Sequence, residues 1–381
     1  MTETDLVGRV RQRLAGAGSD DIVGIVRDEQ SGAAVIADEV ALAALERDVA
    51  AELSGAGPLE PLLRLPGVTD VLVNRPDEIW LDRGRGLERA PVRFADDVAV
   101  RRLAQRLAAA AGRRLDDASP FVDASMPDGT RLHAVLPPLT THATLSLRVL
   151  ARRRFELADL VERPVAALLR AIVAARLAIV ISGGTGTGKT TLLGALLGCM
   201  PAAERLVVIE DARELVTSHP HIIRLVTRAP NIEGAGAIGL RELVRQALRM
   251  RPDRLVVGEF RGAEMVELLV ALNTGHEGGA ATLHANAAVD VPARLAALGA
   301  LGGLSRAAVT SQVASALDVV VHLRRGSSGQ RRVAEIGLLE RAGDELAESP
   351  VWTSGHGAGA RWDALVERLA GRGVDCAGLL R

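Results

Sequence analysis

Residues 177–190 read Leu177-Ala-Ile-Val-Ile-Ser-Gly183-Gly184-Thr185-Gly186-Thr187-Gly188-Lys189-Thr190. The apolar run Leu177 to Ile181 predicts a strand buried on both faces. The glycine-rich turn after it fits GxxxxGK[ST], and Leu192, Leu193, Leu196 and Leu197 then follow helical spacing. Strand, glycine loop and helix form an arrangement with a mechanism. Backbone N–H groups curl around phosphate oxygens, and the helix N-terminus adds a favourable dipole. The lysine reaches the β- and γ-phosphates, and the hydroxyl after it ligates Mg2+. Gly183, Gly184, Thr185, Gly186, Thr187, Gly188, Lys189, Thr190 and Thr191 are the expected nucleotide-binding residues, with ATP and Mg2+ as cofactors.

The composition singles out the same place. Of 46 basic residues, 45 are arginine and one is lysine, Lys189. A guanidinium cannot replace a compact ammonium where geometry needs a point charge.

C-terminal to the loop, Leu206-Val-Val-Ile-Glu210-Asp211 is an apolar strand ending in carboxylates. An acid there sits beside the phosphate loop in an open parallel sheet. Glu210 is a candidate to polarise water or hold Mg2+ through one, with helix capping as the alternative. Leu240, Leu243, Val244, Ala247 and Leu248 predict an amphipathic helix stopped by Pro252. Leu255-Val-Val-Gly258-Glu259 then gives a second buried strand ending in an acid, in the Walker B position. Glycine stands where aspartate is usual, which leaves the metal to Thr190 and waters. Glu259 becomes a metal-side anchor or the general base that orients water. His276 and His284 flank a short strand in 274–286. They read as γ-phosphate sensors or as core histidines satisfied by backbone; metal ligation lacks a third ligand at suitable spacing.

The segments GGTGTGKTTLL, VIEDARELV, ALRMRPDRLVVGEFRG and NTGHEGGAATLHAN occur in this order, and together they resemble the secretion ATPase superfamily. Its members are the motors of type II and type IV secretion and of type IV pili. Upstream, Gly57 to Leu63, Val68 to Asn74, Gly112 to Arg114, Phe121 to Asp123 and Pro127 to Arg131 resemble the CpaF/TadA branch, which powers tight-adherence (Tad) pili. The resemblance implies an α/β chain with a small N-terminal α/β domain, followed by a RecA-like P-loop domain with a doubly wound sheet. It implies phosphate contacts from Lys189 and Thr190, catalytic carboxylates at Glu210 and Glu259, and a functional His276 and His284. Arg131 and Arg148 resemble the N-terminal-domain arginines that close over nucleotide. Arg249 and Arg261 are further candidates for charge compensation across a subunit boundary. A homo-hexamer working on inner-membrane platform proteins follows from the same likeness. Gly279-Ala280-Ala281 departs from the Ser, Leu and Thr frequent in the branch, yet keeps both histidines at family spacing.

Composition removes several classes. Apolar residues make up 48% and charged residues 24%, an ordinary globular balance. A net charge of −1 and the absence of tyrosine argue against direct nucleic-acid binding. Cys199 and Cys376 form no CxxC pair, so no zinc site or disulfide framework is expected. The apolar run Val165 to Ile181 is interrupted by Arg170 and Arg176, and the opening residues lack a signal-peptide core. A cytoplasmic protein, peripheral at the inner face of the membrane, is the expectation. The boundaries read as a helical arm over 1–52, an α/β domain over 53–150, a linker over 151–165, the P-loop domain over 166–340 and a tail over 341–381.

Overall fold

The computed structural model describes residues 55–379 apart from 85, 150–153, 232–233 and 327–328. The arm expected over 1–52, and Arg152 and Arg153 of the expected linker, lie outside the described residues. The chain divides into two compact units between Ala151 and Arg152.

The first unit is built on an antiparallel sheet. Its strands are β1 (Asp70–Arg75), β2 (Glu78–Asp82), β3 (Leu87–Arg89), β4 (Phe121–Ser125), β5 (Arg131–Val135) and β6 (Thr144–Arg148), in the order β3-β2-β1-β6-β5-β4. Alternate residues face inward: Val71 and Val73 of β1 and Leu145 and Leu147 of β6 are buried between more exposed neighbours. A period of two with one covered face is the signature of such a sheet. Helix α1 (Asp97–Ala110) covers it with Val100, Leu103, Ala104 and Leu107. Asp96 fixes its start by accepting the Ala99 N–H at 2.8 Å.

The second unit carries strands β7 (Ile179–Gly183), β8 (Leu206–Glu210), β9 (Ile222–Val226), β10 (Arg254–Val257), β11 (Ala280–Leu283), β12 (Val319–Arg325), β13 (Arg331–Ala342), β14 (Glu345–Thr353) and β15 (Gly357–Ala358). They form one sheet in the order β15-β14-β13-β12-β7-β11-β10-β8-β9. From β12 to β9 every pairing is parallel, and from β12 to β15 every pairing is antiparallel. The inner parallel strands β7, β11, β10 and β8 are buried on both faces because helices cover both, while β9 lies at the edge and is half-buried. Ile179 and Ile181 point into a layer made by α2 (Arg163–Ala174), α3 (Lys189–Gly198) and a C-terminal helix, while Val180 points into the opposite layer. That second layer holds α4 (Leu240–Ala247), α5 (Glu264–Leu272), α6 (Val291–Leu301) and α7 (Arg306–Ala316).

The segment read from sequence as a tail over 341–381 contributes, in its described residues, to this same core. Strand β13 runs through residue 340, β14 pairs along it, and α8 (Trp362–Gly371) buries Trp362, Leu365 and Leu369 against the first layer. Their spacing is helical, so one apolar stripe faces the sheet.

Candidate functional site

Strand β7 sits inside the sheet between β12 and β11, and the phosphate loop leaves its C-terminal end. Gly183 is required there by space as well as by backbone. Its φ is +151°, and a Cβ would lie 2.7 Å from both the Leu323 carbonyl oxygen and Thr187 Oγ1. The Thr187 hydroxyl donates to the Gly184 carbonyl at 2.9 Å and closes the loop on itself. Gly188, left-handed at φ +94°, is the N-cap of α3 and offers that helix no side-chain cap. The first N–H groups of a helix have no partner inside it, so the α3 terminus presents donors toward the loop.

Lys189 opens α3, and its side chain folds back over the loop. Nζ donates to the carbonyls of Gly183 at 3.0 Å and Gly184 at 2.9 Å. It also lies 3.4 Å from both ring nitrogens of His284. Burial pushes the ammonium below its ordinary pKa, and the nearby charge of Glu259 pulls it back up.

Glu259 follows β10, and His284 follows β11 by one residue. The two meet at 2.7 Å, Oε1 to Nε2. A carboxylate at that distance requires Nε2 to carry the proton. The other oxygen of Glu259, Oε2, accepts from Arg261 at 2.8 Å (Nε) and 2.7 Å (Nη2). Burial and the Lys189 charge lower the His284 pKa, against the opposing pull of Glu259, so its ring is neutral at pH 7. The backbone that aims these groups is tied down. Gly258 N–H donates to the Ile209 carbonyl at 2.8 Å, and Thr282 Oγ1 donates to the Gly258 carbonyl at 2.6 Å. The glycine has a steric reason. A Cβ at Gly258 would stand 3.1 Å from Glu210 Cγ, so an aspartate in the usual Walker B slot would crowd a buried acid.

Glu210, at the end of β8, is buried and doubly held. Oε1 accepts the backbone N–H groups of Glu214 at 3.0 Å and Leu215 at 2.7 Å, while Oε2 faces Arg224 at 3.3 Å. It caps the turn that follows its own strand. Burial raises its pKa; the Leu215 N–H and Arg224 oppose that rise.

The two histidines are not brought together. His276 precedes β11, with Nδ1 3.3 Å from the Ala271 carbonyl at the end of α5, whereas His284 follows β11 beside Lys189. Four strand residues separate their ends by about 13 Å, so only His284 joins the phosphate loop. Arg131 and Arg148 belong to the first unit, where they are direct partners across the β5–β6 pairing. Arg131 pairs with Asp123 at 3.1 Å and Arg148 with Asp70 at 3.0 Å. Arg249 donates to the Arg245 carbonyl within its own helical segment. Sequence reading missed Arg331, whose Nε donates to the Gly186 carbonyl at 2.9 Å. It also missed His322, whose Nδ1 lies 2.9 Å from Ser182 Oγ just before the loop. No local motif marks either residue, since both contacts depend on β12 lying beside β7.

The family described as Type II/IV secretion system protein matches residues 52–350 of this chain. A putative conjugal transfer protein of Mycobacterium tuberculosis is 55% identical over 333 residues, covering 84% of this chain and 95% of that protein. The type IV secretion system protein PtlH of Bordetella pertussis is 33% identical over 316 residues, covering 73% of this chain and 92% of that one. Among solved structures, the ATPase DotB of Legionella pneumophila has a TM-score of 0.53 at 19% identity, over 77% of this chain and 80% of that chain. This last likeness bears on the fold alone.

Proposed function

Since the chain belongs to the Type II/IV secretion system protein family, we propose that it is a Mg2+-dependent ATPase, working as a homo-hexameric ring that drives pilus assembly or secretion. The observation that carries this reading is the convergence of Lys189, Glu259 and His284 at the C-terminal ends of neighbouring strands. The residues fit a nucleotide. An uncapped helix N-terminus, a glycine cradle that a Cβ would fill and a buried ammonium are what a polyphosphate requires. The Thr190 hydroxyl and the Glu259 carboxylate fit the oxygen preference of Mg2+, which supplies charge neutralisation to phosphate oxygens when bound.

In this mechanism Lys189 exchanges its two loop carbonyls for phosphate oxygens, which are stronger acceptors for a cation. Glu259 orients and deprotonates water. Arg261 and the Nε2–H of His284 hold its two oxygens in place, so the carboxylate is oriented before water arrives. His284, neutral, keeps its proton on the carboxylate side. Glu210 and His276 take catalytic or sensing roles in this mechanism, and Arg131 and Arg148 close over the nucleotide. Their tests are the Ala variants, read as nucleotide affinity and turnover separately. The tight-adherence pilus is the system proposed first, with inner-membrane platform proteins as partners and a peripheral site at the cytoplasmic face. No helix among the described residues is long and apolar enough to cross a membrane.

The names of the relatives support a second reading of the cargo, conjugal transfer. A net charge of −1 favours handing DNA to partners over gripping it. Salt-dependent DNA binding by the purified chain would favour a nucleic-acid-directed motor instead.

The test is steady-state phosphate release against protein concentration, with Mg2+ or with chelator, for wild type and Glu259→Gln. Wild-type specific activity is expected to rise with concentration and to vanish with chelator. Glu259→Gln is expected to lose about 10²-fold or more in rate. Nucleotide binding without Mg2+-dependent turnover at any concentration would replace the motor by an ATP-binding scaffold.

A further inference from the structure

The geometry points to Arg331 as a phosphate-binding residue, delivered by the β12–β13 hairpin to the α/β-phosphate side of the loop. This inference rests on the nucleotide-binding reading above and adds a second cation to it.

Strand β12 pairs with β7 from Val319↔Ile179 to Leu323↔Gly183, so the two strands reach the start of the loop together. Strand β12 then continues through Arg325, which pairs with Arg331 at the start of β13. The hairpin therefore extends past the end of β7 and overhangs the loop. From there the Arg331 side chain reaches down. Nε donates to the Gly186 carbonyl at 2.9 Å, and Cδ lies 3.4 Å from the position of a Cβ on Gly188. The guanidinium thus runs along Gly186 to Gly188, whose backbone amides cradle the α- and β-phosphates in this motif.

Its side of approach is set by the sheet. Strands β11 and β12 flank β7 on opposite sides. The His284–Glu259 pair arrives from the β11 side and marks the reacting end of the site. Arg331 arrives from the β12 side and marks the other end. Among the described residues no carboxylate pairs with its guanidinium, so its resting partner is a neutral carbonyl. Lys189 rests in the same way, on Gly183 and Gly184. Both cations therefore sit on weak acceptors of the same loop, and an incoming phosphate is a stronger acceptor for either.

The experiment measures equilibrium binding of ADP and of a non-hydrolysable ATP analogue to wild type, Arg331→Gln, Arg331→Lys and Arg332→Gln. Arg332 is the control, because successive strand residues point to opposite faces. Arg331→Gln is expected to weaken both nucleotides by the same factor, about tenfold, as one charge-assisted hydrogen bond requires. Arg331→Lys is expected to recover most of that affinity, and Arg332→Gln to leave it unchanged. A purely structural strap would not be rescued by lysine, so failure of the rescue overturns the inference. Weakening confined to the triphosphate overturns it too, as does an Arg331→Gln effect no larger than that of Arg332→Gln. If wild type binds neither nucleotide, the functional reading itself falls and the inference with it.

Discussion

Glu348→Gln is expected to remove a pH-dependent weakness from the second unit. Glu348 lies on β14 and its carboxyl meets that of Glu335 on β13, over the space that Gly337 leaves open. A Cβ at Gly337 would stand 1.5 Å from Glu348 Oε1. That oxygen is buried and has no hydrogen-bond partner. Burial, then the charge of Glu335, then a hydrogen bond between the two acids push the Glu348 pKa up to about 8. At pH 7 the native carboxyl is protonated, whereas in the unfolded chain it has lost its proton above an ordinary value of 4.5. The native state therefore binds more protons throughout that window, and stability falls as pH rises across it. Taken whole, the shift is worth about 5 kcal/mol. Residual solvent access and sharing of the proton between two acids reduce this to about 1–2 kcal/mol. In a unit of this size that is about 2–8 °C of melting temperature. The assay is thermal unfolding of wild type and Glu348→Gln from about pH 5 to about pH 8.5, read as the difference between the two curves, so that other titrating groups cancel. The wild-type melting temperature should fall more steeply with pH, leaving the glutamine variant the more stable at the alkaline end. Parallel curves would refute the reasoning and mean that the two acids titrate as independent, solvated groups.

Gly183→Ala should destabilise the second unit by about 2–4 kcal/mol, because the added carbon meets a backbone oxygen and a hydroxyl that close the loop. An unchanged denaturant midpoint would count against that. Gly258→Asp, which restores the usual Walker B pattern, should cost about 2 kcal/mol by pressing a second carboxylate on buried Glu210; a faster Mg2+-dependent rate with no loss of stability would contradict it. His284 has a lowered pKa in the folded state, so its neutral form and the stability it carries are present above the ordinary value of 6.5 and are lost as pH falls. The acid limb of the ATPase pH profile should reflect this proton, and His284→Gln should abolish the limb while lowering kcat about 10–10²-fold. Persistence of the limb in that variant would assign it to another group.

The phosphate loop and the parallel core were legible because their signals are local. Apolar runs, glycine punctuation and helical spacing all lie within neighbouring residues. The roles of Glu210 and Glu259 were not separable that way, since each is an acid at the end of an apolar strand. What divides them is the chain beyond the strand: the turn after β8 offers two backbone N–H groups to Glu210, while Glu259 meets His284 and Arg261. The histidines posed the converse problem. They look equivalent around one short strand, but a strand has two ends, and only the end that carries His284 is the end of β7 that carries the loop. Arg331 was hidden among 45 arginines because its contact with Gly186 depends on strand order, which no local pattern encodes. The C-terminal segment did hold a signal, the spacing of Trp362, Leu365 and Leu369, but its glycine- and alanine-rich surroundings obscured it.

Lys189 has a chemical consequence outside catalysis. It is the sole side-chain amine in the chain, and burial holds a larger share of it in the free-base form than an ordinary lysine would have. An amine-selective acylating reagent therefore has one internal amine target, which lies on the loop. Occupancy of the site becomes a mass-spectrometric quantity: the fraction of chains labelled at one peptide, rising when the loop is open and falling when phosphate covers the amine. Arginine enrichment elsewhere has left the protein with a built-in reporter that needs no engineered tag.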